Sequence, residues 1–236
     1  MSREITEEVF LKDVANHEMT VLMDSGLYRH LRFQAKGRCS WNQWFDIITW
    51  PGRLAYTGDM GTYVFARLED MFEFFRSPKD HHPEGHLYIN TGYWGEKLQA
   101  VDRCGRACDF MEFSPERLKN HVEDYIKEWV EEFPLEFESS PEEEAAAKAK
   151  FEKELREAIE EDIYSYLDDG EYEARRALND FSFEPEVGRF VSKPRPYTFS
   201  DTWEWDCQEV TGRFTWCCYA LAWSVQQYDA LAVGVK

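Results

Sequence analysis

Seven apolar residues, Leu118, Val122, Tyr125, Ile126, Trp129, Val130 and Phe133, recur at spacings of three and four and make one stripe of an amphipathic helix. Ser114-Pro115 just ahead supplies an N-cap and a proline at the first helical position. Ser140-Pro141 repeats that signal, and Glu143 completes a capping box. The helix it starts carries a weaker stripe of Ala145, Phe151, Leu155, Ala158, Ile159 and Leu167, with Gly170 as its stop. A third helix is predicted over 171–181 on Tyr172, Ala174, Leu178 and Phe181, and a last one on Phe214, Cys217, Cys218, Leu221, Val225 and Tyr228.

The N-terminal part has a different rhythm. Residues 20–23 and 27–33 read as two strands of a hairpin around Asp24-Ser25-Gly26. Residues 45–50 form a β-branched and aromatic run; Pro51-Gly52 turns the chain, and 54–57 pairs back. Gly58-Asp59-Met60-Gly61 is a tight loop. Short helices are predicted over 67–76, from Leu68, Met71, Phe72 and Phe75, and over 93–101. Beyond a proline-bearing linker at 185–196, Trp203-Glu204-Trp205-Asp206 alternates like a half-buried strand. The expected fold is therefore α+β: a small antiparallel sheet with packed helices, an acidic helical insert and a C-terminal helix. The expected divisions are an α+β domain at 1–111, the insert at 112–184, and a strand–helix segment at 185–236 that packs on the first domain.

Charge sharpens this division. The 236 residues hold 46 acidic and 27 basic side chains, a net of −19. Residues 112–173 alone hold 22 acidic and 7 basic ones, a net of −15. Such a chain lacks the basic surface that displaces counterions from phosphates, so direct nucleic-acid binding is not expected, and neither is attraction to anionic membranes. No apolar run approaches the ~20 residues that span a bilayer. Glu4, Glu7 and Glu8 stand where a signal peptide would be apolar. The composition reads as that of an acidic globular protein of the cell interior.

Candidate chemistry is sparse. No phosphate-binding glycine loop, nucleophile elbow or His-Glu-x-x-His occurs. Cys104 and Cys108 lie about twenty residues after His81, His82 and His86, but their spacing does not match the tight pairs of zinc sites, so no metal and no cofactor is expected. Cys39 lies near Lys36 and Arg38, which would lower a thiol pKa. Asp59 is the best lone catalytic carboxylate, though Asp and Gly also suit turns. His17 and His30 flank the first hairpin and could do acid–base work.

The stronger signal is for binding. Glu131, Glu132, Glu136, Glu138, Glu142, Glu143 and Glu144 bracket a helix–helix turn, and Glu157, Glu160, Glu161 and Asp162 form a second cluster. Solvated helix faces account for such runs, but carboxylates on rigid helices also imitate rows of phosphates and steer toward a basic groove. Tryptophan is abundant: Trp41, Trp44, Trp94, Trp203, Trp205, Trp216 and Trp223 exceed what one modest core hides, so some are expected at interfaces. Trp203, Trp205, Trp216, Cys217, Cys218 and Trp223 are the expected interface set. The adjacent Cys217 and Cys218 allow an intersubunit disulfide if their helix lies at an interface.

Five segments also carry a resemblance. Leu27-Tyr28-Arg29-His30-Leu31-Arg32-Phe33 and Phe45-Asp46-Ile47-Ile48-Thr49-Trp50-Pro51-Gly52 are similar to a family of bacteriophage and prophage proteins. So are Tyr56-Thr57-Gly58-Asp59-Met60-Gly61-Thr62-Tyr63, the stretch 68–75, and Phe214-Thr215-Trp216-Cys217-Cys218-Tyr219-Ala220-Leu221-Ala222-Trp223. The resemblance covers both ends of the chain and little of its acidic middle. The family resembles in turn the phage anti-defence proteins that block the Gabija nuclease–helicase system. It implies inhibition by direct protein binding, self-association around the target and action in the cytoplasm of the infected host, and it transfers no catalytic residue. Two alternatives stand beside it. One is an enzyme degrading or modifying a nucleotide immune signal, with Asp59 and the histidines in its site. The other is a structural or replication accessory protein of the phage.

Overall fold

The computed structural model describes residues 4–37, 42–76, 86–101, 110–133, 140–185 and 196–234. In chain order the first elements are α1 (Glu7–Asp13), β1 (His17–Ser25), β2 (Tyr28–Ala35), β3 (Phe45–Trp50), β4 (Arg53–Gly58), β5 (Gly61–Phe65), α2 (Met71–Phe75), α3 (Thr91–Gly95) and β6 (Leu98–Val101). There follow β7 (Met111–Phe113), α4 (Pro115–Glu131), α5 (Pro141–Asp162), a 3-10 turn (Tyr164–Asp169), α6 (Glu171–Asp180), a second 3-10 turn (Thr202–Glu204), β8 (Gln208–Val210) and α7 (Gly212–Gly234). The fold is α+β. It divides into two compact units, residues 1–112 with 210–236, and residues 113–209. The second unit reaches beyond the 112–184 expected for the insert, so Trp203 and Trp205 belong with the acidic helices rather than with the C-terminal segment.

The first unit is built on a six-stranded antiparallel meander in the order β1-β2-β3-β4-β5-β6. Its register aligns Val21 with Leu31, Leu31 with Ile47, Ile47 with Tyr56, and Tyr56 with Tyr63. Side chains alternate between sheet faces, so Leu31, Ile47, Tyr56 and Tyr63 of this row bury one face with Phe33, Phe45, Leu54 and Phe65, while Val21 on the edge strand stays exposed. Gly26 (φ +64°) and Gly52 (φ +75°) supply the left-handed residues that the first two hairpin turns need. Helix α7 covers the buried face. Trp216 meets Phe45 at 5.7 Å and Phe10 at 5.0 Å, and Trp223 meets Phe33 at 5.3 Å. Helices α1, α2 and α3 also pack on α7, which explains why α7 is apolar almost all round.

The second unit packs Leu118, Val122 and Ile126 of α4 against Phe151, Leu155 and Ile159 of α5, together with Leu178 of α6. Phe133 stacks on Phe151 at 4.3 Å. Ser114 and Ser140 cap α4 and α5 as the sequence predicts, and the Ser140–Glu143 capping box is closed in both directions.

Several elements differ from expectation. The stretch 93–101 is not one helix: α3 ends at Gly95, and Leu98, Ala100 and Val101 pair with Phe65, Val64 and Tyr63 as an edge strand. Residues 203–206 are not a strand, because the backbone closes into a 3-10 turn at Thr202–Glu204. Only Met71–Phe75 of the stretch 67–76 is helical, started by Asp70, whose Oδ1 accepts from the Phe72 N–H at 3.0 Å. Helix α5 ends at Asp162 and continues as a 3-10 turn up to Gly170 (φ +107°). The helix α1 and the strand β5 were not anticipated.

Candidate partner-binding surface

The charge sits in the second unit. Residues 113–209 hold 28 acidic and 12 basic side chains, a net of −16, which leaves −3 for the first unit. The predicted carboxylates fall at the ends of α4 and α5. Glu131 ends α4 and Glu132 caps it; Glu142, Glu143 and Glu144 fill the first turn of α5; Glu157, Glu160, Glu161 and Asp162 lie in its last turns. Glu142 and Asp162 are twenty residues apart on one helix, about 30 Å at 1.5 Å per residue.

These positions have different physical meanings. Glu142, Glu143 and Glu144 stand at the positive end of the α5 dipole and favour folding there. Glu143 also accepts from the Ser140 N–H at 2.9 Å, a hydrogen bond that holds its carboxyl below the ordinary range. Glu160, Glu161 and Asp162 stand at the negative end, and the last turn of α5 has no basic residue. Each such carboxylate costs roughly 0.3–1 kcal/mol against the dipole. At the end of α4, Lys148 Nζ donates to the Glu131 carbonyl at 2.8 Å and supplies the missing cation. Glu157 faces Lys153 at 3.8 Å, and Arg156 is taken up by Glu123 and Glu152. Among the described residues the side chains of Glu131, Glu132, Glu142, Glu144, Glu160, Glu161 and Asp162 form no ion pair. Glu136 and Glu138 lie outside the described residues.

The aromatic set separates in the same way. Trp203 is 74% exposed on its 3-10 turn. Trp205 is half-buried, stacked on His121 at 5.2 Å and against Tyr125 at 5.4 Å. Trp216, Cys217 and Cys218 are not interface residues: all three are buried in the core of the first unit, because α7 is covered by the sheet on one side and by helices on the other. Burial pushes both thiols far above their ordinary pKa, and a disulfide from either to a second chain would require opening that core. Trp223 is half-buried against Phe10 and Phe33. Trp94 is buried, Trp44 lies over Arg32, and Trp41 is outside the described residues. Tyr172 was missed as a surface residue. At 77% exposed it lies off the stripe set by Ala174 and Leu178, and its neighbours Glu171 and Glu173 are the signal that marks it.

The catalytic candidates have structural partners. Asp59 Oδ2 accepts from the Gln43 N–H at 2.9 Å, and His17 Nε2 donates to the Gln43 carbonyl at 3.0 Å. The two side chains thus hold both backbone groups of Gln43, a non-glycine residue at φ +55°. Burial lowers the His17 pKa, and its buried Nδ1 has no hydrogen-bond partner. His30 does not join it: His30 Nε2 donates to Asp46 at 2.9 Å, and Arg32 binds the same carboxylate twice at 2.8 Å. His86 pairs with Glu7 at 3.1 Å. Cys39, His81, His82, Cys104 and Cys108 lie outside the described residues. Among the described residues no cluster of His, Cys, Asp or Glu could hold a metal ion, and no helix is long and apolar enough to cross a membrane.

Compared with protein-family models, curated proteins and solved structures, the chain finds no match.

Proposed function

We propose that this protein acts by binding. In this reading it is a phage-encoded anti-defence protein, and its acidic unit at 113–209 docks on a basic, nucleic-acid-binding groove of a host immune complex of the Gabija nuclease–helicase type. The observation that carries the reading is the set of carboxylates without ion pairs on α4 and α5, together with the exposure of Trp203 and Tyr172 in the same unit. Carboxylates held on a rigid helix stand where phosphates would, and their field raises the encounter rate with a basic partner. The exposed aromatic rings supply the anchors that dominate interface energies. Self-association around the target and action in the host cytoplasm follow from the same reading.

Co-purification with a Gabija complex, followed by native mass determination, tests it. A stable large assembly is expected, and the absence of any complex at micromolar concentration removes the named target. Reversing Glu131, Glu132, Glu160 and Glu161 to Lys should slow association by about tenfold or more at low salt and flatten its salt dependence. An unchanged association rate across salt concentrations would refute the electrostatic part.

A further inference from the structure

An open cleft of about 350 Å³ lies where α5, the following 3-10 turn and α6 come together. Asp162, Tyr166, Glu173, Arg176, Asp180 and Phe181 line it. Resting on the binding reading above, we propose that this cleft receives an arginine side chain of the basic partner.

Three features point to a planar cation. First, the cleft lies at the negative ends of two helices. Asp162 is the last residue of α5, Asp180 is the last of α6, and neither helix has a basic residue in its final turn. The final carbonyls of each helix add a partial negative charge of about −0.5 to those carboxylates. Second, the cation among the described lining residues is loosely engaged. Arg176 lies 3.5 Å from Glu173 and 3.7 Å from Asp180, against 2.7 Å for the Arg156–Glu123 pair in the same unit. Three carboxylates against one weakly held guanidinium leave the cleft with negative charge to spare. Third, the cleft has an aromatic lining. Phe181 is buried, whereas Tyr166 is 44% exposed and presents a ring. A guanidinium satisfies all of this at once: it bonds carboxylates through a planar fork and stacks on an aromatic face, which an ammonium does less well.

Folding gives these carboxylates little in return. Among the described residues Asp162 opposes the dipole of α5 with no ion pair, and Asp180 opposes that of α6 with only the 3.7 Å contact to Arg176 to offset it. A local rule broken for so small a local return is what a binding site produces.

The test uses the full chain and a hexa-arginine peptide, titrated by calorimetry. Asp162→Asn with Asp180→Asn should weaken binding by about tenfold or more, a 1.4 kcal/mol step. Asp168→Asn with Asp169→Asn removes the same charge from exposed positions of the 3-10 turn outside the cleft lining and should weaken it by less than about twofold. Equal losses in the two pairs would assign the binding to a diffuse field and overturn the proposal, as would no loss in either. Thermal unfolding supplies the second readout. The Asp162/Asp180 pair should unfold at the same or a higher temperature than the parent. A fall in stability accompanying the loss of binding would make them folding residues and also overturn it. Tyr166→Ala, at an exposed ring, should weaken the peptide several-fold with the fold intact. The peptide needs no natural partner, so a failed co-purification removes the named target and not the cleft, whereas a failed titration removes the cleft and not the target.

Discussion

Trp216→Ala separates a core role from an interface role. The indole is buried in edge contact with Phe10 and Phe45, and its Nε1–H donates to Asp13 at 3.2 Å. A tryptophan buries up to about 250 Å². At about 25 cal/mol per Å² the transfer term has an upper bound near 6 kcal/mol, which partial burial in the unfolded chain reduces. Measured Trp→Ala substitutions in cores fall at about 3–5 kcal/mol, and that is the expected loss here. It is a large share of the roughly 5–15 kcal/mol that holds a domain folded. At about 2–4 °C per kcal/mol, the unfolding midpoint should drop by roughly 6–20 °C. The matched control is Trp203→Ala. Its ring is exposed, so stability should stay within about 0.5 kcal/mol while partner affinity falls. Urea and thermal unfolding of both variants, with native mass, give the comparison. A Trp216→Ala protein of parental stability and altered mass would refute the burial of that ring and restore it to an interface.

Other expectations follow from single contacts. Asp46 is 5% exposed; burial pushes its carboxyl up, but the hydrogen bonds and charges of Arg32 and His30 outweigh this and hold it below the ordinary value. Its folded pKa is lower than its unfolded one, so its stabilising effect is complete above the ordinary carboxylate range and fades as pH falls through it toward the depressed value. Asp46→Asn should cost about 1.5–3 kcal/mol at pH 7 and flatten the acid limb of a stability–pH curve; an unchanged limb would show that other carboxylates control it. A Cβ on Gly58 would lie 2.7 Å from the Phe45 Cα across the β3–β4 ladder, so Gly58→Ala should destabilise by about 3 kcal/mol in denaturant titration, and a neutral result would deny that close approach. Cys207, Cys217 and Cys218 should resist alkylation in the native protein and react in denaturant, read by peptide mass spectrometry; native labelling of Cys217 or Cys218 would contradict their burial.

Nearest neighbours in the chain decided much of the fold. The caps Ser114 and Ser140, the prolines after them and the turns at Gly26 and Gly52 act within three or four residues, so their chemistry is complete in the local sequence. The stripe of α4 and the run of β3 needed only periodicity. The candidate surface was legible to the same depth: most carboxylates of α4 and α5 are exposed because the apolar stripes take the inward faces.

Burial was decided elsewhere. In α7 apolar residues occupy every face, and only the packing of α1, α2 and α3 opposite the sheet shows that Trp216, Cys217 and Cys218 are core rather than contact surface. Residues 98–101 suit a helix or a strand, and the free edge of β5 settles the choice by pairing with their backbone groups. The sequence favours Asp59 as a turn residue over a catalyst, but the partner that takes its carboxylate, the Gln43 N–H sixteen residues away, is supplied only by the tertiary structure. Arg29 stands on the core face of β2, at 8% exposure, because Asp70 meets it twice at 2.9 Å and Phe72 covers it. The sequence alone determines interactions that close within one helical turn or one hairpin. Only tertiary structure decides which face meets which, because burial and ion pairing depend on groups that distant parts of the chain bring in.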